Sequence, residues 1–371
     1  MHLFKQLTRI SLFKNVASFA EEMQIDERDF ILAARAVFEK YFAPLNLPAQ
    51  VVFRSDYGKS EPTDRMTDAL ITDFNKSGCN RIVAIGGGSV IDMAKVLMIK
   101  DARKTESIFL REVPIVKGYK LIAVPTTCGA GSEVSPVSIV SLTRKGTKVG
   151  LSTEEIIPDH AALIPQLLED MPYRVFATSA IDALIHAVEA FLCPKANAYT
   201  DLFSEQAIRT ILTGFCTLRQ TGETGRLNLL EDFLIASNMA GIAFANAGTG
   251  AVHALSYPLS TQYHVTHGEA CYQFFTAVLH EYQHQNPQGK ILRLREILAD
   301  TLNCGMSDVF ILLEDLLDRV IPRQPLHCYG MAEADIESFA DNVLALQERL
   351  LSQSYCRLNR EAIVRIYRSL L

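Results

Sequence analysis

The chain has 371 residues, 49% of them hydrophobic and 21% charged, with a formal net charge of −6. That length supports two domains with sizeable cores, and that balance excludes the disordered and fibrous classes. The small acidic excess offers no basic face to nucleic acid, which leaves small molecules or protein partners as ligands.

The amino-terminal stretch MHLFKQLTRISLFKNVASF lacks the continuous apolar core of a signal peptide. No run approaches the roughly 18 uninterrupted apolar residues of a membrane span. Eight cysteines, at 79, 128, 193, 216, 271, 304, 328 and 356, form no CxxC pair. A reducing, cytoplasmic setting is therefore expected, and nothing in their spacing suggests thiolate ligation of a metal.

From residue 29 to about 150, short β-type runs alternate with helical segments: FILAA (30–34), AQVVFR (49–54), RIVAIGGG (81–88) and KLIAVPTT (120–127). The segment PTDRMTDALITDFNKSG (62–78) lies between two of them with 3.6-residue periodicity and ends in Gly78, as a crossover helix does. This rhythm predicts a parallel, doubly wound sheet in a Rossmann-like α/β domain. From about 176 onward the pattern is helical: 177–192, 199–220, 229–246, 248–258, 268–284, 289–303, 306–320, 332–351 and 359–370. The expected organisation is an α/β dinucleotide-binding domain over 1–172 and an all-α metal- and substrate-binding domain over 173–371. Ligands of such sheets lie beyond the carboxyl ends of the strands, an edge expected to face the helical half.

AIGGGSVIDMAK (84–95) places Gly86, Gly87 and Gly88 between a strand and a helix. Glycines let backbone approach a pyrophosphate, and the amides of the first helical turn, with Ser89, offer donors to its oxygens. The segment is neither GxGxxG nor a Walker loop, and a tight turn with no ligand is the plain alternative. In VPTTCGAGSEVSPVS (124–138), the hydroxyls of Thr126, Thr127 and Ser132 could bond phosphate or ribose. Two such loops at neighbouring strand ends suggest a dinucleotide.

ATSAIDALIHAVEAFL (177–192) reads as a core helix, yet carries Asp182, His186 and Glu189. An unpaired carboxylate in an apolar interior costs several kcal/mol, so these groups must be paired, hydrated or bound to a cation. Asp182 and His186, four apart, share a helix face. Alone they are more in keeping with a buried structural pair than with a metal, since lone buried polar groups are usually just satisfied. Downstream, GTGAVHALSYPLSTQYHVTHGEACYQFF (248–275) adds His253, His264 and His267. Together these residues offer nitrogen and oxygen ligands to a divalent transition metal, Fe²⁺ or Zn²⁺, in a catalytic type of site. Neutral imidazoles with one carboxylate leave such a site net positive, which favours an anionic substrate.

GGGSVIDMAK, PTTCGAGSEVSPVSIV, SAIDALIHAVEAFL and GAVHALSYPLSTQYHVTHGEA resemble, in order and spacing, the iron-dependent (group III) alcohol dehydrogenase family. The resemblance implies the fold of iron alcohol dehydrogenase and dehydroquinate synthase, with a metal held by Asp182, His186, His253 and His267. It also implies a nucleotide on Gly86, Gly87, Gly88, Ser89, Asp92, Thr126, Thr127 and Ser132. Many members carry a histidine four residues after the third ligand as a proton relay; here that position is Tyr257, whose hydroxyl can pass a proton. Ser260, Thr261 and Thr266 stand where Gly, Gly and Pro are usual, and Glu269 replaces an apolar residue.

Segments outside those motifs, among them VVFRSDYGKSEPTDRM, MPYRVFATSAIDALIHA and PLHCYGMAEADIESFADNVLALQERLL, are similar to the NAD-dependent, 4-hydroxybutyrate-oxidising branch of the family. The expected reaction is hydride transfer between NAD(H) and 4-hydroxybutyrate or succinate semialdehyde, in a homo-oligomer, a dimer first. Arg35 stands near the place where many members hold the adenosine ribose with Asp, and by itself would accommodate the 2′-phosphate of NADP. Arg174, Lys195 and Lys148 are the candidate partners of a substrate carboxylate. His264 is either a pocket residue or a helix-end histidine, and Glu189 is expected to orient a neighbour or face the domain rim. The alternatives are a dehydrogenase of 1,3-propanediol, butanol or glycerol, and a metal-dependent hydrolase, which would need neither nucleotide loop.

Overall fold

The computed structural model describes residues 3–58 and 61–371. Lys59 and Ser60, inside the stretch VVFRSDYGKSEPTDRM, lie outside the described residues, as do Met1 and His2. The chain divides into two units, Gln6–Met171 and Pro172–Leu371, the second joined by the residues up to Lys5.

Among the described residues the first unit has eight strands: β1 (Arg9–Leu12), β2 (Asp29–Ala33), β3 (Gln50–Phe53), β4 (Arg81–Gly86), β5 (Lys120–Pro125), β6 (Val137–Leu142), β7 (Thr147–Ser152) and β8 (His160–Leu163). Six form a parallel sheet in the order β1-β8-β5-β4-β2-β3, and β6 pairs antiparallel with β7 as a separate hairpin. The four expected strands are β2 to β5. The apolar continuity of β4 has its cause in burial: Ile82, Val83, Ala84 and Ile85 are fully enclosed. The chain runs outward from β2 to β3 and then returns to β4 on the other side of β2, a topological switch point.

Helices of eight residues or more are numbered here. In this unit they are α1 (Val16–Met23), α2 (Asp64–Ser77) and α3 (Gly88–Leu97). The crossover helix α2 begins at Thr63, whose side chain accepts from the Met66 amide, and stops at Gly78 in the left-handed region, φ 72°. The strands β1 and β8 and the hairpin β6–β7 were not among the strand expectations. β8 is HAAL, low in β-branched residues, and finds its place by pairing between β5 and β1.

The second unit contains α4 (Tyr173–Leu192), α5 (Ala198–Thr221), α6 (Leu230–Ala247), α7 (Ala251–Tyr263), α8 (His267–Gln285), α9 (Lys290–Leu302), α10 (Val309–Val320), α11 (Glu333–Leu346) and α12 (Arg360–Leu370). Among the described residues α4 is the one helix long and apolar enough to cross a membrane, but 89% of that window is buried inside the structure. It is a core helix enclosed by α5, α6 and α8. A single cut between 1–172 and 173–371 misplaces the first residues. Phe4 stacks on Tyr199 and Phe203, the Lys5 amide donates to Asn246 at 2.7 Å, and Asn197 donates to the Leu3 carbonyl at 2.8 Å. An aromatic stack and three amide bonds with Asn246 and Asn197 tie this segment to the helical unit.

Candidate metal centre and nucleotide turn

Residues 174, 178, 182 and 186 follow one another at four-residue spacing along α4 and so share one stripe of its surface. Asp182 and His186 on that stripe are buried, at 4% and 6% exposure. α7 contributes His253 from its first turn. It runs on through Pro258 to Tyr263, five residues beyond the expected end at 258. The chain then reverses at His264, held at φ 57° in the left-handed region. That turn sets His267 at the start of α8, and it makes His264 an exposed helix cap.

The donors converge. The Nε2 atoms of His186 and His253 lie 3.0 Å apart, and those of His253 and His267 each lie 3.9 Å from Asp182 Oδ1. Donor atoms of Asp182, His253, His267 and Cys271 all fall within 4.8 Å of one another. Asp182 Oδ1 is buried and accepts no hydrogen bond. Burial pushes the Asp182 carboxyl up to about 7, against the pull of His253. A carboxylate oxygen without a donor, facing imidazole nitrogens, is costly in an apolar interior unless a cation answers it. The donor set therefore fits a divalent metal, with nitrogen and oxygen predominating as Fe²⁺ and Zn²⁺ accept.

Cysteine spacing gives no sign of Cys271, whose donor atom nevertheless joins the cluster. This residue sits one turn beyond His267 on α8, with Sγ 3.9 Å from His267 Nε2 and 3.4 Å from Ser256 Oγ. A cysteine four residues after a candidate ligand histidine is the signal the sequence offers. No CxxC spacing is needed when a helix supplies the proximity.

Glu189 takes the first of its two expected roles. Its Oε2 lies 2.6 Å from His253 Nδ1 and accepts from the Gly250 amide at 2.8 Å, while Oε1 accepts from the Val252 amide at 2.7 Å. A carboxylate on Nδ1–H leaves the Nε2 lone pair free to face the donor cluster. Burial opposes the imidazolium at His253, but the charge and hydrogen bond of Glu189 together with the Asp182 charge outweigh it and raise the histidine's proton affinity. A Cβ at position 250 would stand 3.3 Å from Glu189 Oε1, hence the glycine there. Tyr257, half-buried, lies one turn beyond His253 on α7.

At the other candidate site, Gly86 pairs with Pro125 in register, and the Thr126 amide donates to the Gly86 carbonyl at 3.1 Å. The β4 turn and the β5 loop are thus adjacent, as a dinucleotide site requires. A Cβ on Gly87 would meet Thr127 at 3.3 Å, and one on Gly88 would meet Ala130 at 2.8 Å and Ser132 Oγ at 3.4 Å. These two glycines let the loops close on each other, in addition to leaving backbone open to a ligand. Ser89 is exposed on the first turn of α3, Thr127 is half-buried, and Thr126 and Ser132 are buried.

Asp92 is turned inward, its Oδ2 accepting from the Ile139 amide at 2.9 Å. Beneath it lies Lys95, wholly buried, donating to the Val137 carbonyl at 2.5 Å and to Ser135 Oγ at 3.1 Å. Burial pushes the Asp92 carboxyl up and the Lys95 amine down, the latter to about 8. This pair fastens α3 to the hairpin from within. Arg35 after β2 donates to Asp56 at 2.5 Å and Glu39 at 3.4 Å, with its guanidinium 3.9 Å from the centre of the Phe53 ring.

Residues 12–165 match the family described as iron-containing alcohol dehydrogenase, and residues 176–371 match the C-terminal part of the Fe-containing alcohol dehydrogenase family. The chain belongs to the iron-containing alcohol dehydrogenase family. It is 44% identical over 370 residues to the 4-hydroxybutyrate dehydrogenase of Clostridium kluyveri, covering 100% of both chains. It is 34% identical to long-chain-alcohol dehydrogenase 1 of Geobacillus thermodenitrificans, across 77% of this chain and 73% of that one. Among solved structures, the iron-containing alcohol dehydrogenase of Thermococcus thioreducens superposes with a TM-score of 0.82 at 26% identity, covering 99% of each chain. A 1,3-propanediol oxidoreductase shares the fold with a TM-score of 0.85 at 24% identity, covering 100% of each. The enzyme is thus an alcohol dehydrogenase.

Proposed function

We propose that this alcohol dehydrogenase transfers hydride between NAD(H) and the 4-hydroxybutyrate/succinate semialdehyde pair. The observation that carries this reading is the 44% identity, over the full length of both chains, to a 4-hydroxybutyrate dehydrogenase. In this reading the Rossmann-like unit binds the dinucleotide and the helical unit binds metal and substrate.

Asp182, His186, His253 and His267 would hold the divalent ion, Fe²⁺ first and Zn²⁺ second, with Cys271 beside them. Such an ion supplies Lewis acidity toward the alcohol or aldehyde oxygen. Glu189 holds the His253 ring in one tautomer and orientation, so that Nε2 is presented without rotamer search. Tyr257, one turn from His253, would exchange the hydroxyl proton with solvent. Gly86, Gly87, Gly88 and Ser89 would present backbone and hydroxyl donors to the pyrophosphate, and Thr126, Thr127 and Ser132 would line the same cleft. Asp92 serves that cleft indirectly, by holding α3 against β6. Glu39 and Asp56 engage both terminal nitrogens of Arg35, Nη1 and Nη2, which favours NAD over a cofactor bearing a 2′-phosphate. The working protein is proposed to be a cytoplasmic homodimer.

The test is an absorbance assay at 340 nm of Fe²⁺-loaded protein with NAD⁺ or NADP⁺ and a panel of 4-hydroxybutyrate, 1,3-propanediol, glycerol and butanol. The expected ranking puts 4-hydroxybutyrate with NAD⁺ first. Equal kcat/KM for 4-hydroxybutyrate and butanol would remove the carboxylate-specific assignment.

A further inference from the structure

An alcohol dehydrogenase that selects a substrate with a carboxylate at its far end needs a cation some distance from the hydroxyl-binding atoms. The three candidates from sequence separate in the structure. Lys148 belongs to the hairpin of the α/β unit, with Nζ 2.5 Å from Glu61. Lys195 is exposed past the carboxyl end of α4. Arg174 lies on the Asp182 stripe of α4, eight residues earlier, which is about 12 Å along the axis.

Several observations tie Arg174 to the open edge of the donor cluster. Thr178 on the intervening turn donates from Oγ1 to the Arg174 carbonyl at 2.8 Å. Its own carbonyl presses on the start of α8, where a Cβ on Gly268 would lie 2.7 Å from Thr178 O and 3.3 Å from Asp182 Cβ. Arg174 then reaches across to Glu269, two residues beyond His267, through Nη2. The His267 side chain is 39% exposed where those of Asp182 and His253 are at 6% and 5%, so the cluster opens toward solvent on this side. The Arg174 side chain is 58% exposed and is paired with Glu269, two residues from His267.

We propose that Arg174 binds the substrate carboxylate and that Glu269 holds its guanidinium ready for it; this rests on the 4-hydroxybutyrate reading above. Glu269 is itself fixed, accepting from Tyr329 OH at 2.8 Å, and Gln273 donates to that hydroxyl at 3.2 Å. A guanidinium has five donor hydrogens in a rigid fork, and the Glu269 bond uses Nη2 alone. The rest of the fork can take a second carboxylate. The hydroxyl oxygen and carboxylate carbon of an extended 4-hydroxybutyrate are separated by roughly 5 Å, as four bonds of ordinary length dictate. Spanning the axial gap of about 12 Å to Asp182 therefore also requires the reach of the arginine stem. Shorter alcohols without the acid would gain nothing from the fork, and the residue thus sets specificity.

The test uses the full-length, metal-loaded enzyme with NAD⁺, comparing wild type, R174Q and R174K on 4-hydroxybutyrate and 1-butanol. Because the side chain is largely exposed, melting temperatures are expected to stay within about 2 °C. R174Q is expected to lower kcat/KM for 4-hydroxybutyrate roughly 10- to 100-fold, chiefly through KM, while butanol turnover stays within about threefold. R174K, with charge but no fork, is expected to fall between. Inhibition of butanol oxidation by butyrate should weaken in parallel in R174Q. An unchanged preference for 4-hydroxybutyrate, unchanged butyrate inhibition, or equal loss on both alcohols would overturn the proposal. A wild type with no preference for 4-hydroxybutyrate would instead sink the functional reading, before any variant is made.

Discussion

The two units prepare their candidate sites with different materials. In the α/β unit the surface offered to a ligand is largely backbone, a β4 turn and a β5 loop brought together because Gly87 and Gly88 have no Cβ. In the helical unit it is side chain, with donors from α4, α7 and α8 converging from positions up to 89 residues apart. Backbone sites tolerate changes of neighbouring side chain but no added volume. Side-chain sites have the reverse sensitivity, since each donor depends on what holds its ring or carboxylate in place.

The sharpest contrast should come from removing a donor. Asp182→Ala is expected to abolish bound metal, measured by elemental analysis, and to reduce turnover to that of chelator-treated protein. The metal-free variant is expected to be within about 1 kcal/mol of the metal-free wild type, because loss of a buried carboxylate oxygen with no hydrogen bond offsets the small cavity. A large loss of apoprotein stability would show that Asp182 is a structural group. Next in size, Glu189→Gln keeps the shape of the anchor but weakens its bond to His253 Nδ1. Metal affinity or kcat should fall roughly 10- to 100-fold with NAD⁺ binding unchanged.

For the backbone site, Gly88→Ala adds a carbon 2.8 Å from Ala130 Cβ. It is expected to cost about 1–3 kcal/mol in the α/β unit and to raise KM for NAD⁺, with metal content unaltered. If metal content fell as well, the two sites would not be separable in this way. The smallest effect concerns Lys95. Its amine is lowered to about 8 by burial, whereas the unfolded chain holds that proton to about 10.4. Between those values the unfolded state binds more protons, so rising pH stabilises the fold; below about pH 8 both states are protonated and the slope disappears. Wild type should therefore gain up to about 2 kcal/mol over Lys95→Met between pH 8 and 9.5 in chemical denaturation, and run parallel to it at lower pH. Parallel curves throughout would mean that Asp92 keeps the amine charged.

What could be seen in the sequence was what repeats or what is unusual. Apolar continuity in β2, β4 and β5, helical periodicity after residue 176, and polar groups at four-residue spacing in an apolar helix each have a local cause, so a single chain displays them. β8 has no such cause: its alanines adopt a strand only because β5 and β1 flank it. The hairpin β6–β7 gives no clean period-two signal: β6 buries every second residue but one of them is Ser138, and in β7 only Leu151 is buried. At the donor cluster, Asp182, His186, His253 and His267 stood out as titratable groups in apolar surroundings. Cys271 did not, because a cysteine in a core is ordinary. The inward turn of Asp92 toward the hairpin, and the pairing of Arg35 with Asp56, are tertiary facts with no counterpart in local pattern.

Glu189 carries a further consequence. The first turn of a helix needs acceptors for its free amides, and α7 receives one from α4 instead of from its own preceding residue. α7 cannot be completed as an isolated segment; its beginning is finished only when α4 has already docked. His253 lies in that same turn, so its ring reaches its working orientation in the step that joins the two helices. Assembly of the helical unit and arrangement of its candidate metal ligands are in this sense one event. A nascent chain synthesised as far as α6 would hold Asp182 and His186 with no means of closing the site around an ion.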